Sequence, residues 1–132
     1  MKEIKPITLA PTTRRRAAAI SVHRNGAFFF SMNCVERLGI THKSSVMIAQ
    51  DPEDTENFFI YPTSTGEYVV NRYPSNDKVY KFCSKQLRNL MADALYPGRD
   101  PAMFRLLLGG DSEFKVNGKK VRAWALLATP IE

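Results

Sequence analysis

The side chains able to do chemistry in this sequence are few and mostly cationic. Arg14, Arg15 and Arg16 stand in a run, and Arg24 comes just before an Asn25-Gly26 pair. Guanidinium groups clustered in this way neutralise phosphates and release counterions, which is the chemistry of binding duplex DNA or another polyanion. The bland alternative is a solvated tail, with Arg24 only keeping a hairpin tip wet. A second basic set, Lys78, Lys81, Lys85 and Arg88, is interleaved with Tyr80 and Phe82. Alternating cations and aromatics can stack single-stranded bases and hold their phosphates. The same alternation also describes a strand with one wet and one buried face, and it points the lysines away from those two rings.

Catalysis has less to work with. His23, His42, Cys34 and Cys83 are the soft metal-ligand candidates, and no two of them have the two-to-four-residue spacing of a zinc knuckle. Neither histidine has an evident orienting carboxylate or a nucleophile beside it. Gly109-Gly110 follows a strand pattern but leads into Asp111 and a further hairpin, so it lacks the helix N-terminus that a phosphate loop uses. No metal, no cofactor and no enzymatic activity are expected.

The elements that must position these residues belong to a chain of 132 residues, 44% of them hydrophobic, which is enough for a core without disulfides or metal. Two cysteines are too few for a secreted disulfide scaffold and fit a reducing compartment. The apolar runs Leu106 to Leu108 and Ala123 to Ala128 fall far short of the ~20 residues of a membrane helix. No apolar stretch behind Lys2 and Lys5 resembles a signal peptide. A cytoplasmic protein away from membranes is therefore expected. The net charge of +6 is unevenly spread: residues 1–25 carry +5, 26–67 carry −4 and 68–132 carry +5.

Residues 1–17, with two prolines and the arginine run, read as a flexible basic arm. Next come strand patterns at Ala19 to Arg24 and Ala27 to Phe30 around the Asn25-Gly26 turn, then a helix capped by Ser31 and closed by Gly39. Val46 to Gln50 and Asn57 to Tyr61 follow as strands around an acidic loop. The order then repeats: a strand at Tyr68 to Tyr73, a turn at Pro74 to Lys78 and a strand at Val79 to Cys83. Ser84 caps a longer helix that stops at Pro97-Gly98. Met103 to Leu108 is a strand, Val116 to Lys119 a hairpin turn, and Val121 to Ala128 the last strand.

Superposing the two capping serines pairs Phe30 with Cys83, Cys34 with Leu87 and Leu38 with Met91, all apolar. The expectation is a β-rich α+β fold of two tandem ββαββ units, 18–63 and 67–130, packed as one domain. Its core is expected to hold Phe28, Phe30, Leu38, Ile40, Val46, Ile48, Leu87, Met91, Leu106 and Trp124.

Arg24 to Ile48 carries a pattern of a basic residue, a glycine two positions on, an alternating strand, a short helix ending in Leu-Gly-Ile, a turn and a Val-x-Ile strand. Arg24, Gly26, Phe28, Phe30, Leu38, Gly39, Ile40, Val46 and Ile48 carry it without a gap. This stretch resembles the swapped-hairpin domain of the AbrB, SpoVT and MraZ regulators, and similar small proteins occur in gut-bacterial and phage genomes. The resemblance implies a swapped-hairpin-like barrel and a DNA-binding transcriptional regulator of low sequence specificity. With two copies in one chain it implies a monomeric pseudo-dimer, with a homodimer as the other possibility. Ser31 stands where the family usually has proline, Lys43-Ser44 where it has Gly-Asp, and Ala27 where it has a basic residue. Val35 and Glu36 stand where DNA-binding members carry phosphate-contacting arginines, and a carboxylate there repels phosphate. Arg14, Arg15, Arg16 and Arg24 are left as the candidate nucleic-acid contacts. The competing reading is a non-enzymatic structural or protein-interaction module, phage-derived, that kept the fold without the DNA site.

Overall fold

A computed structural model of the chain describes Glu3, residues 17–73 and residues 76–131. The arm, including Arg14, Arg15 and Arg16, lies outside the described residues apart from Glu3 and Ala17.

Alternating apolar residues form β1 (Ala19–His23) and β2 (Ala27–Phe30), and the Asn25-Gly26 turn joins them as the sequence predicts. Gly26 has φ +95°, and a Cβ there would come within 2.6 Å of the Lys85 backbone nitrogen, so both conformation and space require glycine. Helix α1 (Met32–Leu38) starts where the Ser31 hydroxyl accepts the Cys34 N–H at 3.2 Å, and Gly39 ends it in the left-handed conformation at φ +68°. The Ser31 N–H donates to the Ala19 carbonyl at 2.9 Å, a bond that a proline could not make. Then come β3 (Ser45–Gln50), the acidic loop and β4 (Phe58–Pro62).

The segment read as one strand from Tyr68 to Tyr73 is two, β5 (Tyr68–Val69) and β6 (Asn71–Tyr73). Val70 breaks it because its N–H donates to the Ser44 carbonyl and its own carbonyl accepts the Lys43 N–H, both at 2.8 Å, while its side chain is fully buried. β7 (Asn76–Cys83) begins earlier than expected because its pairing with β6 runs on to Tyr73 and Asn76. Helix α2 (Lys85–Leu95) is capped by Ser84, whose hydroxyl accepts the Leu87 N–H at 3.1 Å. β8 (Met103–Val116) does not stop at Leu108: Gly109-Gly110 is a register shift inside the strand rather than its end. β9 (Lys119–Ala128) likewise starts right after the turn.

The strands pair in the order β5-β3-β4-β9-β8-β1-β2-β7-β6, every pair antiparallel. Because β5 and β6 are neighbours in the chain at Val70, the two ends of this order meet, and the nine strands form a nearly closed, barrel-like sheet. Tyr68 of β5 stacks on Phe82 of β7 at 4.9 Å across the seam. Closure of this kind leaves few open strand edges.

One apolar cluster fills the interior and takes Cys34, Val35 and Leu38 from α1 and Leu87, Met91 and Ala92 from α2. Eight of the ten predicted core residues are buried; Ile48 and Trp124 are half-buried against the cluster. The pairing of Phe30 with Cys83 fails, since Phe30 is buried and Cys83 exposed. Phe82, one residue earlier, is the buried one, so the burial pattern before Ser84 is shifted by one residue from that before Ser31, whereas Cys34 and Leu87, and Leu38 and Met91, are buried alike.

Candidate nucleic-acid interface

Arg24 sits at the tip of the β1–β2 hairpin, which is clamped between the start of α2 and the loop before β8. The Gly26 carbonyl accepts the Ser84 N–H at 2.8 Å, and the Arg24 N–H donates to the Ala102 carbonyl at 2.9 Å. The Arg24 guanidinium is roughly half exposed, yet it is engaged: its Nε lies 3.1 Å from Asp100 Oδ2, and it also donates to the Asp100 carbonyl. Arg88 reaches the same carboxylate at 2.7 Å and the Pro101 carbonyl at 2.8 Å. The Arg88 bond, and secondarily the nearby charges of Arg24 and Lys85, hold the Asp100 carboxyl below the usual carboxylate range. Asp100 is therefore the anion around which these cations gather, and a phosphate reaching Arg24 must compete with it.

Arg88 does not belong to a solvated basic face. It is 4% exposed, because it lies on the side of α2 that carries Leu87, Met91 and Ala92 and ties the loop before β8 to the helix. Lys81 points away from Tyr80 and Phe82, as the alternation predicts, since both of those rings face the core. Its two neighbouring strands supply it with other aromatics: Lys81 Nζ is 4.8 Å from the Tyr73 ring centroid on β6 and 5.8 Å from that of Phe29 on β2, and His23 meets Phe29 edge-on at 5.1 Å. That surface of aromatics plus one cation comes from the register that sets Phe29 opposite Lys81, which the sequence of either strand alone does not reveal.

On α1, Val35 is buried and Glu36 is exposed. The cation beside them, Arg37, is committed elsewhere: it donates to the Leu108 carbonyl at 3.0 Å and to the Gly109 carbonyl at 2.7 Å, holding the shift in β8. The four soft residues are scattered. His42 Nδ1 accepts the Arg72 N–H at 3.0 Å, His23 packs on Phe29, and Cys83 is exposed. Burial pushes the Cys34 thiol up to about 12, against a smaller opposing effect of the Arg37 charge. Among the described residues no three of His, Cys, Asp or Glu are grouped so as to hold a metal ion. No helix among them is long and apolar enough to cross a membrane.

A further group of exposed cations lies on β8 and β9. Beyond Asp111, β8 and β9 pair only with each other, in a two-stranded ribbon that ends in the Asn117-Gly118 turn and carries Lys115, Lys119 and Lys120 near its tip. The signal was present: a two-residue turn at Asn117-Gly118 sets Val116 opposite Lys119 and therefore Lys115 opposite Lys120. Phe114 packs on Phe59 at 4.6 Å, and the ribbon and the β3–β4 surface together line a cavity of about 450 Å³ bordered by Asp51 and Lys115. No known protein family, curated protein or solved structure matched the chain.

Proposed function

We propose that this chain is a duplex-DNA-binding regulator of AbrB-like type, in which one polypeptide supplies the two ββαββ halves that form a swapped-hairpin barrel. One observation carries the reading. Exchanging β1, β2, β3 and β4 for β6, β7, β8 and β9 converts each strand pairing into another pairing present in the sheet, with β5 and β6 counted as one broken strand. Each half thus completes its sheet with strands of the other, β1 on β8 and β3 on β5, which is the interlacing that swapped hairpins require.

Sequence readout has little support in this arrangement, because Glu36 is exposed on α1 and Arg37 is spent on backbone carbonyls. The binding proposed is phosphate contact through Arg14, Arg15 and Arg16, with Arg24 contributing only when it leaves Asp100. The test is fluorescence anisotropy with a random-sequence duplex, comparing the full chain with its Arg14/Arg15/Arg16→Ala variant. A loss of about 2.7 in the logarithmic salt slope is expected for three contacts. Equal slopes would remove the arm from the interface.

A second reading, a protein-interaction module without a DNA site, is favoured by the cavity under the ribbon, whose lining includes Phe59, Tyr61, Phe114 and Val121. Absence of duplex binding by the full chain at low salt selects it.

A further inference from the structure

We infer that the β8–β9 ribbon is a second nucleic-acid contact, one that lays its lysine tip in the major groove of a duplex. This assignment rests on the duplex-binding reading above. Residues Asp111 to Val116 extend about 20 Å at a strand's rise of about 3.4 Å per residue, and a two-stranded ribbon is an element that the roughly 12 Å major groove admits.

Charge decides which part of the ribbon would do this. Alternation places Asp111, Glu113, Lys115, Lys120 and Arg122 on one face, and Phe114, Val116, Lys119 and Val121 on the other, so the charged face ends in Lys115 and Lys120. Near the root, Arg122 occupies both acids, at 2.7 Å from Asp111 and 3.8 Å from Glu113. At the tip nothing answers the lysines: the side chains of Lys115, Lys119 and Lys120 are exposed and without a hydrogen-bond or ion-pair partner among the described residues. Lys115 and Lys120 stand directly opposite each other, and facing like charges disfavour a strand pair. A cross-strand repulsion retained beside a satisfied acid–base cluster is explained if an external polyanion supplies the missing charge. The other face holds the ribbon in place through Phe114 on Phe59, so the tip is presented by a supported element rather than by a loose loop.

The experiment is anisotropy titration of the full chain against a duplex of about two helical turns, between about 50 and 200 mM salt. Wild type is compared with Lys115/Lys120→Ala and, separately, with Arg14/Arg15/Arg16→Ala. Thermal melts confirm that both variants fold, and Lys120→Glu provides a single-site repeat. Two ribbon contacts predict that the lysine variant's salt slope is smaller in magnitude by about 1.8, so that wild type loses about 12-fold more affinity than the variant over that range. If the lysine variant binds like wild type while the arginine variant is impaired, the ribbon assignment is overturned and duplex binding stands. An equal effect of the lysine substitutions on a single strand of the same length overturns the groove placement. No binding of wild type at about 50 mM salt overturns both readings together.

Discussion

Replacing Phe30 by alanine tests the face assignment on which the barrel rests. Phe30 is 3% exposed, pairs with Ile20 and Tyr80 across its two neighbours, and lies 5.8 Å from the Phe82 ring inside the core cluster. Truncating a phenylalanine so placed removes its transfer energy and leaves a cavity, at a cost of about 3–5 kcal/mol. Phe29 is the internal control. It points outward and is half-buried, with its ring between His23 at 5.1 Å and Tyr73 at 6.3 Å, and its loss should cost only about 1 kcal/mol, the scale of exposed aromatic pairing. With a urea slope of about 2 kcal/mol per molar, Phe30→Ala should lower the unfolding midpoint by about 2 M and Phe29→Ala by about 0.5 M. Trp124 is the single tryptophan and packs against the core, so its fluorescence follows the transition. Equal losses for the two variants, or a loss under about 1 kcal/mol for Phe30→Ala, would refute the assignment.

Three further outcomes follow from particular residues. Lys43 holds φ +69°, a left-handed conformation that costs a residue with a Cβ about 1 kcal/mol, so Lys43→Gly should raise stability by that order; a lower melting temperature would contradict it. The Asp100 carboxyl is held low by Arg88, so its contribution is present above the unfolded pKa of about 3.9 and is lost as pH falls through the lower folded value. Asp100→Asn should flatten part of the stability loss below about pH 4, the remainder coming in part from Asp111, which Arg122 also holds low; an unchanged acid slope in thermal melts would speak against the Asp100 hub. Thiol titration of the native protein at about pH 8 should find Cys83 alone, because a Cys34 thiol pushed to about 12 is ionised only about 10⁻⁴ of the time there; two equally fast thiols would contradict its burial.

Local rules recovered much of this fold. Both capping serines, the left-handed Gly39 and the Asn25-Gly26 and Asn117-Gly118 turns are set by nearest-neighbour backbone chemistry, and each could be read from a few residues. What escaped depends on partners distant in the chain. Val70 breaks its strand because Lys43 and Ser44 take its backbone bonds, and Gly109-Gly110 continues a strand because Arg37 holds the adjoining carbonyls. Of the candidate contacts, Arg24 lies at the predicted tip, but its partner Asp100 is far along the chain. Arg88 looked solvated from its strand-side neighbours and is buried by its helix face. The ribbon lysines are legible in the two-residue Asn117-Gly118 turn, which sets Lys115 opposite Lys120.

The proposed duplex binding runs through phosphate contacts from two separate basic elements, the arginine run and the ribbon. The most direct measurement is the salt dependence of binding of the full wild-type chain to a random-sequence duplex. Five contacts, three from the arginine run and two from the ribbon lysines, predict a logarithmic slope of about −4.5 with little change between unrelated sequences. A slope no steeper than about −1, or no binding at about 50 mM salt, would contradict the claim.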